Sequence, residues 1–202
     1  MRIKEKIKET GYLLADGATG TNLFDMGLES GYPPELWNLE HPDRVESNHQ
    51  SFLEAGSDIL LTNSFGANEF RLSLHGDEDK ADQINYEAAQ IAKKSIEKST
   101  REVFIAGSIG PTGEIIEPLG DLSKEKARDA FLKQSLALKA GGVDFLWIET
   151  MSSEEEMEAA LLAAQETSLP IICSYSFDTH GRSMMGLEPA KLTELTARYS
   201  TN

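Results

Sequence analysis

The chain has 202 residues, with 34 acidic against 19 basic side chains, a formal net charge of −15 and a single cysteine. Hydrophobic residues at 40% and charged residues at 26% suit a folded globular domain and exclude a disordered one, while a surface this acidic repels phosphate backbones and argues against nucleic acid as a partner. No apolar run approaches the roughly 18 residues of a membrane span, Met1 to Lys6 mixes charges where a secretory signal would lead into an apolar run, and one thiol excludes both a disulfide framework and a multi-thiolate zinc site within these residues.

In chain order, short β-rich runs alternate with longer helical ones. Strands are predicted over 12–16, 58–63, 103–107, 143–150 and 170–177, each apolar and bounded by Gly, Asp, Asn or Pro. A helix over 43–55 follows Pro42 at a first helical position. The helix over 77–98 places Ile84, Ala88, Ile91 and Ser95 on one face. Ser123 is the expected N-cap of a helix to residue 140 with Ala127, Phe131, Ser135 and Leu138 as its core stripe. Ser153-Glu154-Glu155-Glu156 has capping-box spacing and reads as a solvated first turn, ahead of a helix that buries Met157, Ala160, Leu161 and Ala164. A last helix over 188–199 would bury Leu192, Leu195 and Tyr199. This βα period fits either an open doubly wound sheet or the front of a (β/α)8 barrel, which takes about 250 residues when whole.

Parallel α/β folds gather reactive groups at the C-terminal ends of strands. Five such ends are legible, and small polar residues crowd all of them. Asp16-Gly17-Ala18-Thr19-Gly20-Thr21 ends the first strand; its glycines allow close backbone approach and its amides could nest an anion. It is neither a P-loop nor a dinucleotide fingerprint. Thr62-Asn63-Ser64-Phe65 ends the second, Gly107-Ser108-Ile109-Gly110-Pro111-Thr112-Gly113 the third, and Ser174 to Asp178 the fifth. Glu149 ends the fourth, on the same alternating face as Val143, Phe145 and Trp147. If that face points into a pocket, Asp16 and Glu149 form either a general acid/base couple or a pair of fixed charges for an ammonium group. Spacing does not separate the two.

Taken in order, these segments, together with Glu35-Leu36-Trp37-Asn38, Ala55-Gly56-Ser57-Asp58-Ile59 and Gly142-Val143-Asp144-Phe145, resemble the homocysteine S-methyltransferase family. That family includes betaine–homocysteine methyltransferase and the homocysteine-binding domain of cobalamin-dependent methionine synthase. The resemblance implies a (β/α)8 TIM barrel, apparently incomplete, with about five βα units and with residues 1–202 as the N-terminal portion of one homocysteine-binding barrel domain. It implies methyl transfer from an activated donor to the homocysteine thiolate, giving methionine. It assigns Asp16 and Glu149 to the substrate ammonium, the backbone at Gly17, Ala18, Thr19 and Gly20 to the substrate carboxylate, and Asn63 to the same substrate site, with no catalytic residue and no metal ligand in this chain.

Zinc is the cofactor the resemblance implies, since a free thiol near pKa 8.5 is mostly protonated at neutral pH. The family's ligands are three cysteines, one after the sixth strand and an adjacent pair near the barrel's end. Here the only thiol, Cys173, lies inside the fifth strand run as a small core residue, and His41, His49, His75 and His180 lack metal-ligand spacing. The expectation is an incomplete chain that lacks metal and turnover. Tyr32 and Trp37 are candidates to face a quaternary ammonium donor such as betaine. Implied partners are homocysteine and a small methyl donor, in a cytoplasmic protein for which a homo-oligomer is compatible. Two other classes stay open: a non-catalytic amino-acid-binding fragment, and a different α/β enzyme on an open five-stranded sheet.

Overall fold

A computed structural model describes residues 2–178 and 180–199. Four strands, β1 (Ile59–Leu61), β2 (Phe104–Ile109), β3 (Phe145–Met151) and β4 (Ile171–Tyr175), pair in parallel in the order β1-β2-β3-β4. The helices in chain order are α1 (Arg2–Thr10), α2 (Thr19–Asp25), α3 (Trp37–Glu40), α4 (Pro42–Ala55), α5 (Glu69–Ser73), α6 (Ala81–Ile96), α7 (Lys124–Gly141), α8 (Glu154–Gln165) and α9 (Pro189–Tyr199). Among the described residues no helix is long and apolar enough to cross a membrane.

The predicted helical faces are the buried ones. Ile84, Ala88, Ile91 and Ser95 of α6 are buried, as are Ala127, Phe131, Ser135 and Leu138 of α7 and Met157, Ala160, Leu161 and Ala164 of α8. In α9, Leu195 is buried while Leu192 and Tyr199 are partly so. Ser123 and Ser153 act as N-caps, accepting from the Lys126 and Glu156 amides. Gly56 and Gly142, at φ 105° and 96°, end α4 and α7 in the left-handed conformation that a Cβ disfavours.

Two apolar layers flank the sheet. Ile105, Ile109, Leu146 and Ile148 face the helices; Ile59, Phe104, Ala106 and Phe145 face the other way, joined by Leu61, Trp147 and Ile172. Ile3 of α1 plugs this second layer, and Arg2 pairs with Glu102 at 2.7 Å while lying over the Phe104 ring.

The structure departs from the sequence reading in four places. The run 12–16 is not a strand of the sheet: it meets β1 through one bridge, Ala15 to Ile59, and a few backbone hydrogen bonds. Tyr12 and Leu14 are 74% and 50% exposed, so its outer face packs on no helix, and the Asp58 carboxylate takes the Leu14 amide. Val143 precedes β3 and packs with the helix-side layer. The turn 154–156 is not fully solvated: Glu156 is 4% exposed and, instead of closing the capping box, accepts from the Thr112 amide (2.8 Å) and hydroxyl (2.6 Å). Finally, the predicted helix 77–98 begins as a 3-10 turn over Glu78–Lys80.

Candidate functional site

The C-terminal ends of β1, β2 and β3, with residues 17–20 and 34–35, line a cavity of about 350 Å³. Its lining includes Gly17, Ala18, Thr19, Gly20, Asn63 and Glu149 from the expected set, together with Glu35, Thr62, Ser64, Phe65 and Ser108. Asp16 is the one expected residue outside the lining. Its Oδ2 accepts the amide of Leu61, a lining residue, at 2.9 Å.

Asp16, from the segment bridged to β1, and Glu149, near the end of β3, come close enough for the charge of one to act on the other. Burial pushes the Asp16 carboxyl up to about 7; the Leu61 amide opposes this, and the nearby Glu149 charge adds to it. Burial also raises Glu149, partly offset by the Ser108 hydroxyl, which donates to Oε1 at 2.6 Å. Both carboxyls resist ionisation, and a cation placed beside them would favour their charged forms.

An irregularity follows directly after Glu149. The β3–β4 register shifts between Ile148 and Met151, and Thr150 sits at φ 64°, a left-handed conformation that a β-branched residue adopts only under strain. Alternation therefore holds from Phe145 through Glu149 and then breaks, because Met151 packs with the helix-side layer. Alternation sets Glu149 at the cavity, and the bulge after it turns Met151 into the helix-side layer.

The first loop leads into α2. Ala18 stands at its N-cap without a side-chain oxygen, so no side chain caps the first amides of this helix. Asn63 lines the cavity and also has a structural role: its amide nitrogen donates to Pro34 O (2.8 Å) and to Asn38 Oδ1 (3.1 Å), tying residues 34–38 to the end of β1. Tyr32 and Trp37 do not line the cavity. Tyr32 donates to Glu40 at 2.8 Å, and buried Trp37 packs under the Arg44 guanidinium, 4.8 Å from its ring.

Glu35, which the spacing arguments did not single out, is a buried wall residue whose Oε1 accepts the Gly66 amide at 2.6 Å. Burial raises its carboxyl, opposed by its own and the Gly66 amides and by Arg71. Phe65 forms another wall, and its ring lies over Gly110, where a Cβ would meet it at 2.5 Å. Pro34 at the start of a 3-10 turn was the local signal for Glu35; nothing local marks Phe65 or Ser108 as neighbours.

The described residues do not fit a zinc ion. No group of three or more His, Cys, Asp or Glu side chains among them is placed to hold a metal. Cys173, half-buried in β4, packs on the helix-side layer, and burial raises its thiol. His49 is buried in α4 and held neutral, its pKa lowered to about 4 by desolvation.

The family model for homocysteine S-methyltransferase matches residues 13–200. Methionine synthase of Mycobacterium leprae (strain TN) is 31% identical over 196 residues, covering 87% of this chain and 16% of that protein, and methionine synthase of Mycobacterium tuberculosis (strain ATCC 25618 / H37Rv) gives the same figures. The chain thus spans a small part of these curated relatives. The metallated form of the homocysteine methyltransferase MmuM from Escherichia coli matches with a TM-score of 0.82 at 22% identity, over 98% of this chain and 75% of that one. Its apo form matches with a TM-score of 0.74 at 20% identity, over 96% and 70%. These structural likenesses speak for the fold, and the family match, running through both carboxylates and every strand, speaks for descent: the chain belongs to the homocysteine S-methyltransferase family.

Proposed function

We propose that this chain is the homocysteine-binding front part of a (β/α)8 barrel that transfers a methyl group from a small activated donor, betaine-like or other, to the sulfur of homocysteine. The observation that carries the reading is Glu149 on the cavity wall with Asp16 just behind the lining, close enough to feel its charge, in a lining that among the described residues holds no Lys or Arg. An α-ammonium group entering there meets two carboxylates that have already lost most of their water, so the attraction is strong and the added desolvation small. The amides at Gly17 to Gly20 suit the α-carboxylate.

The acid/base alternative fits less well, because the group transferred is a methyl and the site's carboxylates serve binding. The clamp acts on the amino-acid end and leaves the sulfur free to reach a donor. The described residues offer nothing that would activate the thiol, so we expect this chain by itself to bind the amino acid without turning it over.

Calorimetric titration with L-homocysteine, L-methionine and N-acetyl-L-methionine tests the reading. The first two should bind, and the third, which has no ammonium, should not. Equal binding of all three, or of none, would sink the clamp. Methionine formation by this chain with zinc and a donor would overturn the expectation of inactivity.

A further inference from the structure

One oxygen of Glu149 is already engaged. Ser108, 2% exposed, donates its hydroxyl proton to Oε1, whereas Oε2 accepts no hydrogen bond among the described residues. The backbone of Ser108 is held on both sides by the end of β1. Its amide donates to Thr62 Oγ1 at 3.0 Å, and its carbonyl accepts from Ser64 Oγ at 2.7 Å. The Thr62 and Ser64 hydroxyl oxygens lie 2.6 Å apart.

Each hydroxyl has one proton to give. Ser64 gives its proton to the Ser108 carbonyl, so Thr62 must donate to Ser64. The result is a closed, one-directional ring that runs from the Ser108 amide through Thr62 and Ser64 back to the Ser108 carbonyl. Gln134 of α7 anchors it from behind the sheet, donating to the Ser64 carbonyl at 2.7 Å. All three ring residues are buried, where hydrogen bonds are stiff and costly to break. Ser108 has no proton left for a ligand.

We propose that Ser108 is a positioning residue: its hydroxyl, set by the Thr62–Ser64 ring, fixes one oxygen of Glu149 so that the other meets the substrate ammonium as an anion. The proposal rests on the amino-acid reading above. A hydrogen bond to the charged form favours that form, while burial pushes Glu149 the opposite way; the other ionisable groups there, Glu35 in the lining and Asp16 behind it, are also carboxylates. The Leu61 amide does for Asp16 what Ser108 does for Glu149.

The test compares the wild-type chain with Ser108→Ala. Protein labelled with carbon-13 at glutamate carboxyls reports the Glu149 titration by NMR, with the resonance assigned by its loss in Glu149→Gln. Ser108→Ala should raise the Glu149 pKa by about one to two pH units and weaken L-methionine binding by up to about tenfold per unit wherever the pH lies below the raised value. Should that variant not fold, Ser108→Cys, whose thiol is a poor donor in nearly the same volume, carries the same comparison. An unchanged pKa overturns the proposal, and so does an unchanged affinity beside a raised pKa. A wild-type chain that binds no L-methionine would instead defeat the clamp, and the titration, which needs no ligand, would still decide whether Ser108 governs Glu149.

Discussion

Replacing Asp16 with asparagine should stabilise the fold while removing one carboxylate of the proposed ammonium clamp. Folding carries this carboxyl from its ordinary 3.8 up to about 7. A raised carboxyl pKa means that the folded state holds the proton more tightly than the unfolded state. Ionisation therefore costs no stability below about pH 4, costs progressively more as the pH climbs toward 7, and levels off above that. At about 1.4 kcal/mol per pH unit, the shift amounts to roughly 4 kcal/mol as an upper figure, and partial exposure to water reduces it to about 2–4 kcal/mol at pH 8. Asparagine keeps the shape and still offers a carbonyl oxygen to the Leu61 amide. Urea unfolding of the wild type and Asp16→Asn at pH 4 and pH 8 measures the effect. The two should match at pH 4, and the variant should be the more stable at pH 8. An advantage as large at pH 4 as at pH 8, or none at pH 8, refutes the reasoning. The same proton governs the ligand: L-methionine binding should tighten from pH 5 to pH 7, by up to about tenfold per unit, and this dependence should weaken in Asp16→Asn.

Three further outcomes follow from the geometry. Glu156→Ala strips the Thr112 amide of its buried acceptor and should cost about 2–3 kcal/mol, with faster amide exchange over 111–122; Glu156→Gln, which keeps an acceptor oxygen, should retain most of the stability. Thr150→Gly relieves the left-handed backbone at φ 64° and should leave stability unchanged or raise it by about 1 kcal/mol; a clear loss in thermal unfolding would show that Thr150 is not strained. Gly110→Ala drives a Cβ into the Phe65 ring and should cost about 1–3 kcal/mol, with weakened L-methionine binding by calorimetry because a cavity wall moves.

Much of this protein was legible because one-dimensional period maps onto three-dimensional face. The core stripes of α6, α7 and α8 stand where a 3.6-residue repeat puts them, and the small polar residues at strand ends mark the rim of the cavity. Asp16 and Glu149 could be singled out because each carboxylate ends an apolar run, where burying a charge is costly. The family match covers the residues that carried the resemblance.

What the order of residues alone decided was the βα alternation, the buried faces and the acid at the end of β3, since these depend on local spacing and on the cost of burying charge. Only the tertiary structure decided the rest. Whether 12–16 becomes a strand depended on neighbours that would cover Tyr12 and Leu14. Whether Glu156 met water or Thr112 depended on a loop 44 residues away. Tyr32 and Trp37 found local partners instead of the cavity. The hydroxyls of Thr62, Ser64 and Ser108 became one ring because β1 and β2 end side by side in register. Hydrogen bonds between strands are set by register and burial, and sequence spacing carries neither.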